Sequence, residues 1–134
     1  MQGRNCRYWA LLLVLSPLLA VASNLSFLDK ATVSKFKEED VKLLMETVDK
    51  VLASTDPKAA LSWSNPKTGN SGNISTVLQF TSTDGHSCKR LRVLNRAKAM
   101  ENTAEHTVCA VPDRGWLLNP EARPAPADAT RSPD

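Results

Sequence analysis

Apolar residues at helical spacing, followed by short strand-like runs, most constrain the fold of this chain. Their spacing places them on one face of an amphipathic helix: Val41, Leu44, Met45, Val48, Val51 and Leu52. Acidic residues crowd the first turn, where the helix dipole favours negative charge, and the run Ser54-Thr55-Asp56-Pro57 ends the helix. A shorter helical turn is predicted around Phe27 to Val33.

The segments after this helix are typical of β-strands. Five are predicted: Ala60 to Ser64, Ile74 to Ser82, Ser87 to Leu94, Thr103 to Ala110 and Gly115 to Leu118. Turn residues separate them at 65–73, 83–85, 95–102 and 112–114. Short strands joined by short turns favour an antiparallel meander, which must cover the apolar stripe of the helix. The predicted fold class is therefore α+β, an N-terminal amphipathic helix packed on a small antiparallel β-sheet with one disulfide.

The N-terminus has the pattern of a secretory signal peptide over residues 1–22. Arg4 and Arg7 precede an apolar core from Trp9 to Leu19, and Ala20-Val21-Ala22 forms a small-x-small cleavage site. The apolar run is short for a membrane span, and no second one follows. We expect a periplasmic or secreted protein with no integral membrane segment after signal cleavage. No cysteine stands directly after the core, so a lipoprotein anchor has no acceptor there.

The C-terminal residues 119–134 include four prolines and no large apolar side chain. Such a segment cannot bury enough surface to offset the entropy of ordering, so it is predicted to be a disordered tail rich in Pro and Ala. The domain prediction is a signal peptide over 1–22, a single α+β domain over 23–118, and this tail.

Charge limits the partners that this chain is expected to bind. The 134 residues hold 17 basic and 14 acidic side chains, and loss of Arg4 and Arg7 with the signal leaves a net charge of +1. Nucleic acid or an anionic membrane as main partner would need a concentrated basic face. The local basic cluster is Lys89, Arg90, Arg92, Arg96 and Lys98. It is interpreted as a solvated strand face, the alternative being contact with an acidic partner such as lipopolysaccharide phosphate or another protein.

Cys88 and Cys109 are the only thiols left after processing. A signal peptide leads to an oxidising compartment, so the two are predicted to form an intramolecular disulfide. A redox-active pair is disfavoured because the C-x-x-C spacing is absent. Together with His86 and His106 they could also supply four zinc ligands, although the spacing is not a familiar zinc pattern and oxidation would remove both sulfurs.

Candidate catalytic groups are weak in this sequence. Ser71 or Ser87 could combine with a histidine and Asp84, but no nucleophile-elbow, paired-carboxylate or metalloprotease pattern supports them. We therefore predict no enzyme and no cofactor.

A long turn from Asn65 to Gly72 carries two glycines that could adopt positive φ. Because it lacks a Gly-Lys-Ser/Thr ending, a nucleotide site is improbable. We interpret it as a hairpin connection, with a ligand-binding loop as the alternative. The flanking Trp63 and the distant Trp116 are predicted to be core aromatics.

The order of these small motifs resembles the C-terminal domain of bacterial outer-membrane surface antigens of the 17 kDa type. The resemblance covers roughly Val41 to Leu118 and rests on the following residues: Trp63-Ser64-Asn65-Pro66, Thr68-Gly69-Asn70-Ser71-Gly72, Asp84-Gly85, Cys88-Lys89, Cys109 and Gly115-Trp116. It implies that Trp63, Asn65, Pro66, Gly69, Gly72 and Trp116 are structural. Members often carry a lipoprotein cysteine and a Gly-rich apolar segment before this domain, and arginine is common where this chain has Lys89.

The resemblance implies a free-standing periplasmic version of the domain. The leading prediction is a non-enzymatic envelope or periplasmic module, binding or structural, whose partner is an unknown envelope protein or other envelope component. The alternative is a small secreted inhibitor of a hydrolase such as lysozyme, because compact disulfide-bonded β domains suit rigid insertion into a foreign cleft.

Overall fold

The computed structural model of the protein describes residues 30–126. The predicted signal peptide, residues 1–22, lies outside the described residues. The described elements are two helices, α1 (Lys30–Val33) and α2 (Glu38–Ala53), followed by five strands: β1 (Ala60–Ser64), β2 (Ser71–Thr81), β3 (Ser87–Ala97), β4 (Met100–Val111) and β5 (Gly115–Leu118). The strands form one sheet in the order β1-β2-β3-β4-β5, and each neighbouring pair is antiparallel. The predicted antiparallel meander is confirmed.

The predicted ends of β1 and β5 match the structure, whereas the predicted turn over 95–102 is wrong. Strands β3 and β4 continue through most of it, with Asn95 opposite Asn102 and Ala97 opposite Met100. Only two residues are left for the turn, and the first of them, Lys98, has a φ of 56°. Asparagine and basic residues are common in turns, but here they extend the paired strands of a long β3–β4 hairpin.

Helix α2 covers one face of the sheet. Its buried residues Leu44, Val48 and Val51 form one core cluster with sheet residues, which are Trp63, Ile74, Leu91, Val93 and Val108. Along β3 the residues at odd positions from Lys89 to Ala97 are buried. Since successive side chains of a strand point to opposite faces, the even positions, including Cys88 and Arg92, belong to the helix-free face.

The disulfide joins directly opposed residues of two neighbouring strands. Cys88 and Cys109 are register partners in β3 and β4, their Cα atoms are 4.1 Å apart, and both are nearly inaccessible to solvent. The predicted Cys88–Cys109 disulfide is confirmed. It links the central strand, β3, to its neighbour β4 on the helix-free face of the sheet.

The chain beyond β5 returns to the far end of β2. Ala125 donates its N–H to the carbonyl of Thr81 at 2.9 Å, and Thr83 donates to the carbonyl of Arg123 at 3.2 Å. An isolated bridge pairs Ser82 with Pro124. Residues 119–126 of the predicted disordered tail are thus part of the fold, and residues 127–134 lie outside the described residues.

Candidate functional site

A cleft of about 370 Å³ opens where three connections of the fold meet. These are the segment between α1 and α2, the β1–β2 turn and the β3–β4 turn. Four of its eight lining residues are lysines and none is acidic: Ser34, Lys35, Phe36, Lys37, Lys67, Thr68, Asn70 and Lys98. We refer to it as the four-lysine cleft.

The four lysines come from distant parts of the sequence and all are exposed. Lys35 and Lys37 precede α2, Lys67 lies in the β1–β2 turn, and Lys98 begins the β3–β4 turn. Among the described residues, the ion pair recorded for this set joins Lys67 Nζ to Glu39 Oε1 at 3.2 Å, with both side chains more than half exposed. An exposed pair of this kind contributes little and exchanges readily with a competing anion. The lining of the cleft therefore carries four lysines, one of which is paired with Glu39.

A buried carboxylate lies beneath the cleft and fixes its position. Asp40, in the first turn of α2, is fully inaccessible to solvent. Its Oδ1 accepts hydrogen bonds from Asn65 Nδ2 at 2.7 Å and Thr68 Oγ1 at 2.6 Å. Its Oδ2 accepts from Asn70 Nδ2 at 2.8 Å and from the Lys37 backbone N–H at 2.8 Å. Three of these bonds attach the β1–β2 turn to the start of α2, and the bond from Lys37 closes the first turn of the helix itself.

The charge of Asp40 is stabilised by this arrangement. Burial by itself would raise the pKa of Asp40, but the hydrogen bonds from Thr68, Lys37, Asn70 and Asn65 outweigh it and hold the pKa below its ordinary value of 3.8. The carboxylate is therefore ionised at neutral pH. All its partners are neutral donors, so its role is to organise the turn.

Aromatic packing anchors the apolar part of the cleft. Phe36 lines the cleft and meets the ring of Trp63 edge-on, with centroids 5.2 Å apart. Trp63 in turn lies against Gly72, where an added Cβ would be 2.5 Å from the Leu94 carbonyl oxygen and closer still to the indole nitrogen. Gly72 is thus required for close approach, whereas Gly69 has the positive φ of 73° that its turn needs.

The basic cluster predicted from Lys89 to Lys98 is divided, because Arg90, Arg92 and Arg96 share the helix-free face as alternation predicts, whereas Lys89 is buried on the opposite face. Arg92 and Arg96 form cross-strand ion pairs with Glu105 and Glu101. Lys98 alone reaches the four-lysine cleft. Alternation along β3 and its long hairpin with β4 distribute these charges over different environments.

Lys89, in strand β3, is buried, and its side chain caps the C-terminal end of helix α2. Its Nζ donates to the carbonyl oxygens of Val51 at 3.2 Å, Leu52 at 3.0 Å and Ser54 at 2.7 Å. Burial lowers the pKa of Lys89, while the negative end of the helix dipole favours the ammonium. The same Nζ lies 5.8 Å from the ring centroid of Trp116, which packs partly buried against the core.

The two candidate serines lie at opposite ends of β2. Ser71 begins that strand, whereas Ser87 pairs with its last residue, Thr81, and directly follows the β2–β3 connection that holds Asp84 and His86. The disulfide occupies both sulfurs of the zinc alternative that included His86 and His106. Within residues 30–126, no group of three His, Cys, Asp or Glu side chains is placed to hold a metal ion.

Two important residues were missed by sequence reasoning. The sequence shows Asp40 only as one of several first-turn acids, and it places Lys89 in a basic cluster that is interpreted as a solvated strand face. A signal existed for Lys89, since it shares the strand face of Leu91 and Val93 in an alternating run. For Asp40 the signal was weaker, because only the polar turn residues Asn65, Thr68 and Asn70 could have indicated a shared acceptor.

No helix within the described residues is long and apolar enough to cross a membrane. No significant match was found among curated proteins or among solved structures. The family model of the 17 kDa outer membrane surface antigen matches residues 50–117, about half of the chain. That span includes Asn65, Thr68 and Asn70, the disulfide and Lys89, although not Asp40. The chain therefore belongs to the 17 kDa outer membrane surface antigen family.

Proposed function

We propose that this chain is a non-enzymatic module of the bacterial envelope that binds an anionic envelope component in the four-lysine cleft. Membership of the surface antigen family suggests an envelope-associated, non-enzymatic role. The observation that carries the binding role is the convergence of four lysines, with no acidic lining residue, on one concave surface. The proposed location is the periplasm or the exterior of the cell.

The cleft is better suited to binding a small anionic group than to binding an extended polyanion. The near-neutral net charge of the mature chain provides little long-range attraction for a polyanion. Local lysines around a small concavity can still bind a group of one or two negative charges by short-range contact. The buried hydrogen bonds of Asp40 hold the Lys67-bearing turn in place before binding, which reduces the entropy lost on association. The hydrolase-inhibitor alternative stays a prediction.

Sedimentation with outer-membrane vesicles from a Gram-negative bacterium would test this proposal. We expect the purified protein to cosediment at low salt and to be released as salt rises, because the contacts are exposed charge pairs. The triple variant Lys35→Gln, Lys67→Gln, Lys98→Gln should lose most of this binding. Lys58→Gln, which alters an exposed lysine outside the cleft, is the control. Equal binding by the triple variant and the control would refute the proposal.

A further inference from the structure

We infer that the anionic group bound by the four-lysine cleft is a phosphorylated saccharide, that is, a sugar ring bearing a phosphate monoester. This inference rests on the proposed function and specifies its ligand. It draws on the kind of cation present, the apolar lining and the size of the cleft.

The cations of the cleft are lysines without exception among its lining residues. A planar guanidinium binds carboxylate or phosphate in a two-pronged geometry, whereas the ammonium of lysine acts as a point charge that can approach an anion from any direction. Several ammonium groups around one position suit a group with up to two negative charges and three equivalent oxygens. The number of ammonium groups therefore favours a phosphate monoester, with up to two negative charges, over a carboxylate with one.

Two neutral side chains that line the cleft already donate hydrogen bonds to Asp40. The Thr68 hydroxyl and the Asn70 side-chain amide both donate to Asp40. Recognition of the anion consequently depends on the ammonium groups and not on a polar pocket. The β1–β2 turn can therefore be held rigidly by Asp40 while its Lys67 ammonium group remains able to contact an anion.

Phe36 adds an apolar surface next to these charges. Its ring is half-buried and held edge-on by Trp63, so it presents a fixed hydrocarbon surface to the cleft. The negative face of an aromatic ring attracts the C–H groups on the apolar side of a sugar ring. The volume of about 370 Å³ lies near the lower end of ligand pockets. It accommodates one sugar unit with its phosphate.

Chemical-shift titration of the ¹⁵N-labelled protein with four probes tests the ligand class. The probes are glucose 6-phosphate, glucuronate, inorganic phosphate and glucose. We expect glucose 6-phosphate to bind at least about tenfold more tightly than each of the others, with shifts at residues 34–37, 67–70 and 98. Lys35→Gln and Lys98→Gln should each weaken it severalfold, and Lys58→Gln should not.

Phe36→Leu separates the sugar contribution from the phosphate contribution. The substitution keeps aliphatic bulk against Trp63 while removing the aromatic face. We expect a severalfold loss of affinity for glucose 6-phosphate and no change for inorganic phosphate. An equal loss for both probes would show that Phe36 acts only through the structure of the cleft and would overturn the sugar-ring contact.

The remaining outcomes separate this inference from the proposed function. Glucuronate binding as tightly as glucose 6-phosphate would overturn the phosphate assignment but leave an anion-binding cleft. Inorganic phosphate binding equally tightly would overturn the saccharide. Absence of binding by any probe, with lysine-dependent vesicle sedimentation intact, would overturn the inference alone.

A competition experiment identifies the source of the sugar phosphate. Phosphatidylcholine vesicles with and without a monophosphorylated glycolipid would be added to the protein bound to glucose 6-phosphate. Displacement by the glycolipid vesicles alone supports a lipid headgroup as ligand. Absence of displacement supports a free sugar phosphate. Displacement by both kinds of vesicle would overturn the assignment, since phosphatidylcholine carries no sugar.

Discussion

Asn70 donates its side-chain amide to Oδ2 of Asp40 at 2.8 Å, in a buried hydrogen bond that spans 30 residues of sequence. With the bonds from Asn65 and Thr68, it joins the glycine-containing turn of the family match to the first turn of α2, which lies before that match begins. One carboxylate thereby determines where the β1–β2 turn lies relative to α2.

Asp40→Asn should destabilise the protein by about 2–4 kcal/mol, because buried donors lose a charged acceptor and an amide N–H₂ faces them instead. Urea unfolding followed by tryptophan fluorescence measures the loss. Asp49→Asn, an exposed change on the same helix, is the control and should stay within about 0.5 kcal/mol. Similar losses for both variants would show that the buried network contributes nothing specific.

The contribution of Asp40 to stability should depend on pH with a defined sign. Its pKa is lower in the folded state than the ordinary 3.8, so its stabilisation is complete above that value and is lost as pH falls through the folded pKa. Unfolding free energies of the protein and of Asp40→Asn, measured from pH 7 to pH 2, should differ by a constant amount down to about pH 5 and converge below about pH 4. A constant difference down to pH 2 would contradict the lowered pKa.

Lys89→Met should cost about 1–3 kcal/mol, since the carbonyls of Val51, Leu52 and Ser54 lose a charged donor at the end of α2. Lys89→Arg keeps donors and charge and should lose less than half as much. Chemical denaturation of both variants tests this, with the exposed change Lys58→Met as control. A Lys89→Met protein as stable as the control would exclude the helix-capping role.

Gly72→Ala should be more harmful than Gly69→Ala. At position 72 the new methyl group would overlap the Trp63 indole and the Leu94 carbonyl, at a cost of about 1–3 kcal/mol. At position 69 there is open space, so only the positive φ opposes alanine, at about 1 kcal/mol. Thermal unfolding should rank the two variants in that order, and Gly72→Ala should also shift the tryptophan emission. The reverse order would disprove the close packing of Trp63.

Removal of the disulfide by the double change Cys88→Ala and Cys109→Ala should lower stability by about 3 kcal/mol in the loop-closure model, given a sequence separation of 21. Unfolding of the double variant measures this loss. Intact mass before and after thiol alkylation gives an independent check on the protein prepared without residues 1–22, which lacks Cys6 and should take up label only after reduction. Labelling without reductant would mean that the bond does not form in solution.

Local sequence patterns predicted much of the architecture. Helical spacing from Val41 to Leu52 identified α2, and alternation with turn residues identified all five strands. Such patterns are reliable because a helix or strand must bury one face, whatever its neighbours are. They failed at the β3–β4 hairpin, where Asn95 and Asn102 continue the ladder, because pairing between strands overrides the local preference of asparagine for turns.

The sequence by itself therefore determined the elements and their order, and it predicted the pairing of Cys88 with Cys109 from the expectation that Cys6 leaves with residues 1–22. Only the tertiary structure decided which charged side chains are buried and which lie together. It buried Asp40 beneath the turn and Lys89 at the end of α2, and it brought Lys35, Lys37, Lys67 and Lys98 to one cleft. The physical reason is that burial and charge proximity depend on contacts between residues distant in sequence, which helical or strand periodicity does not encode.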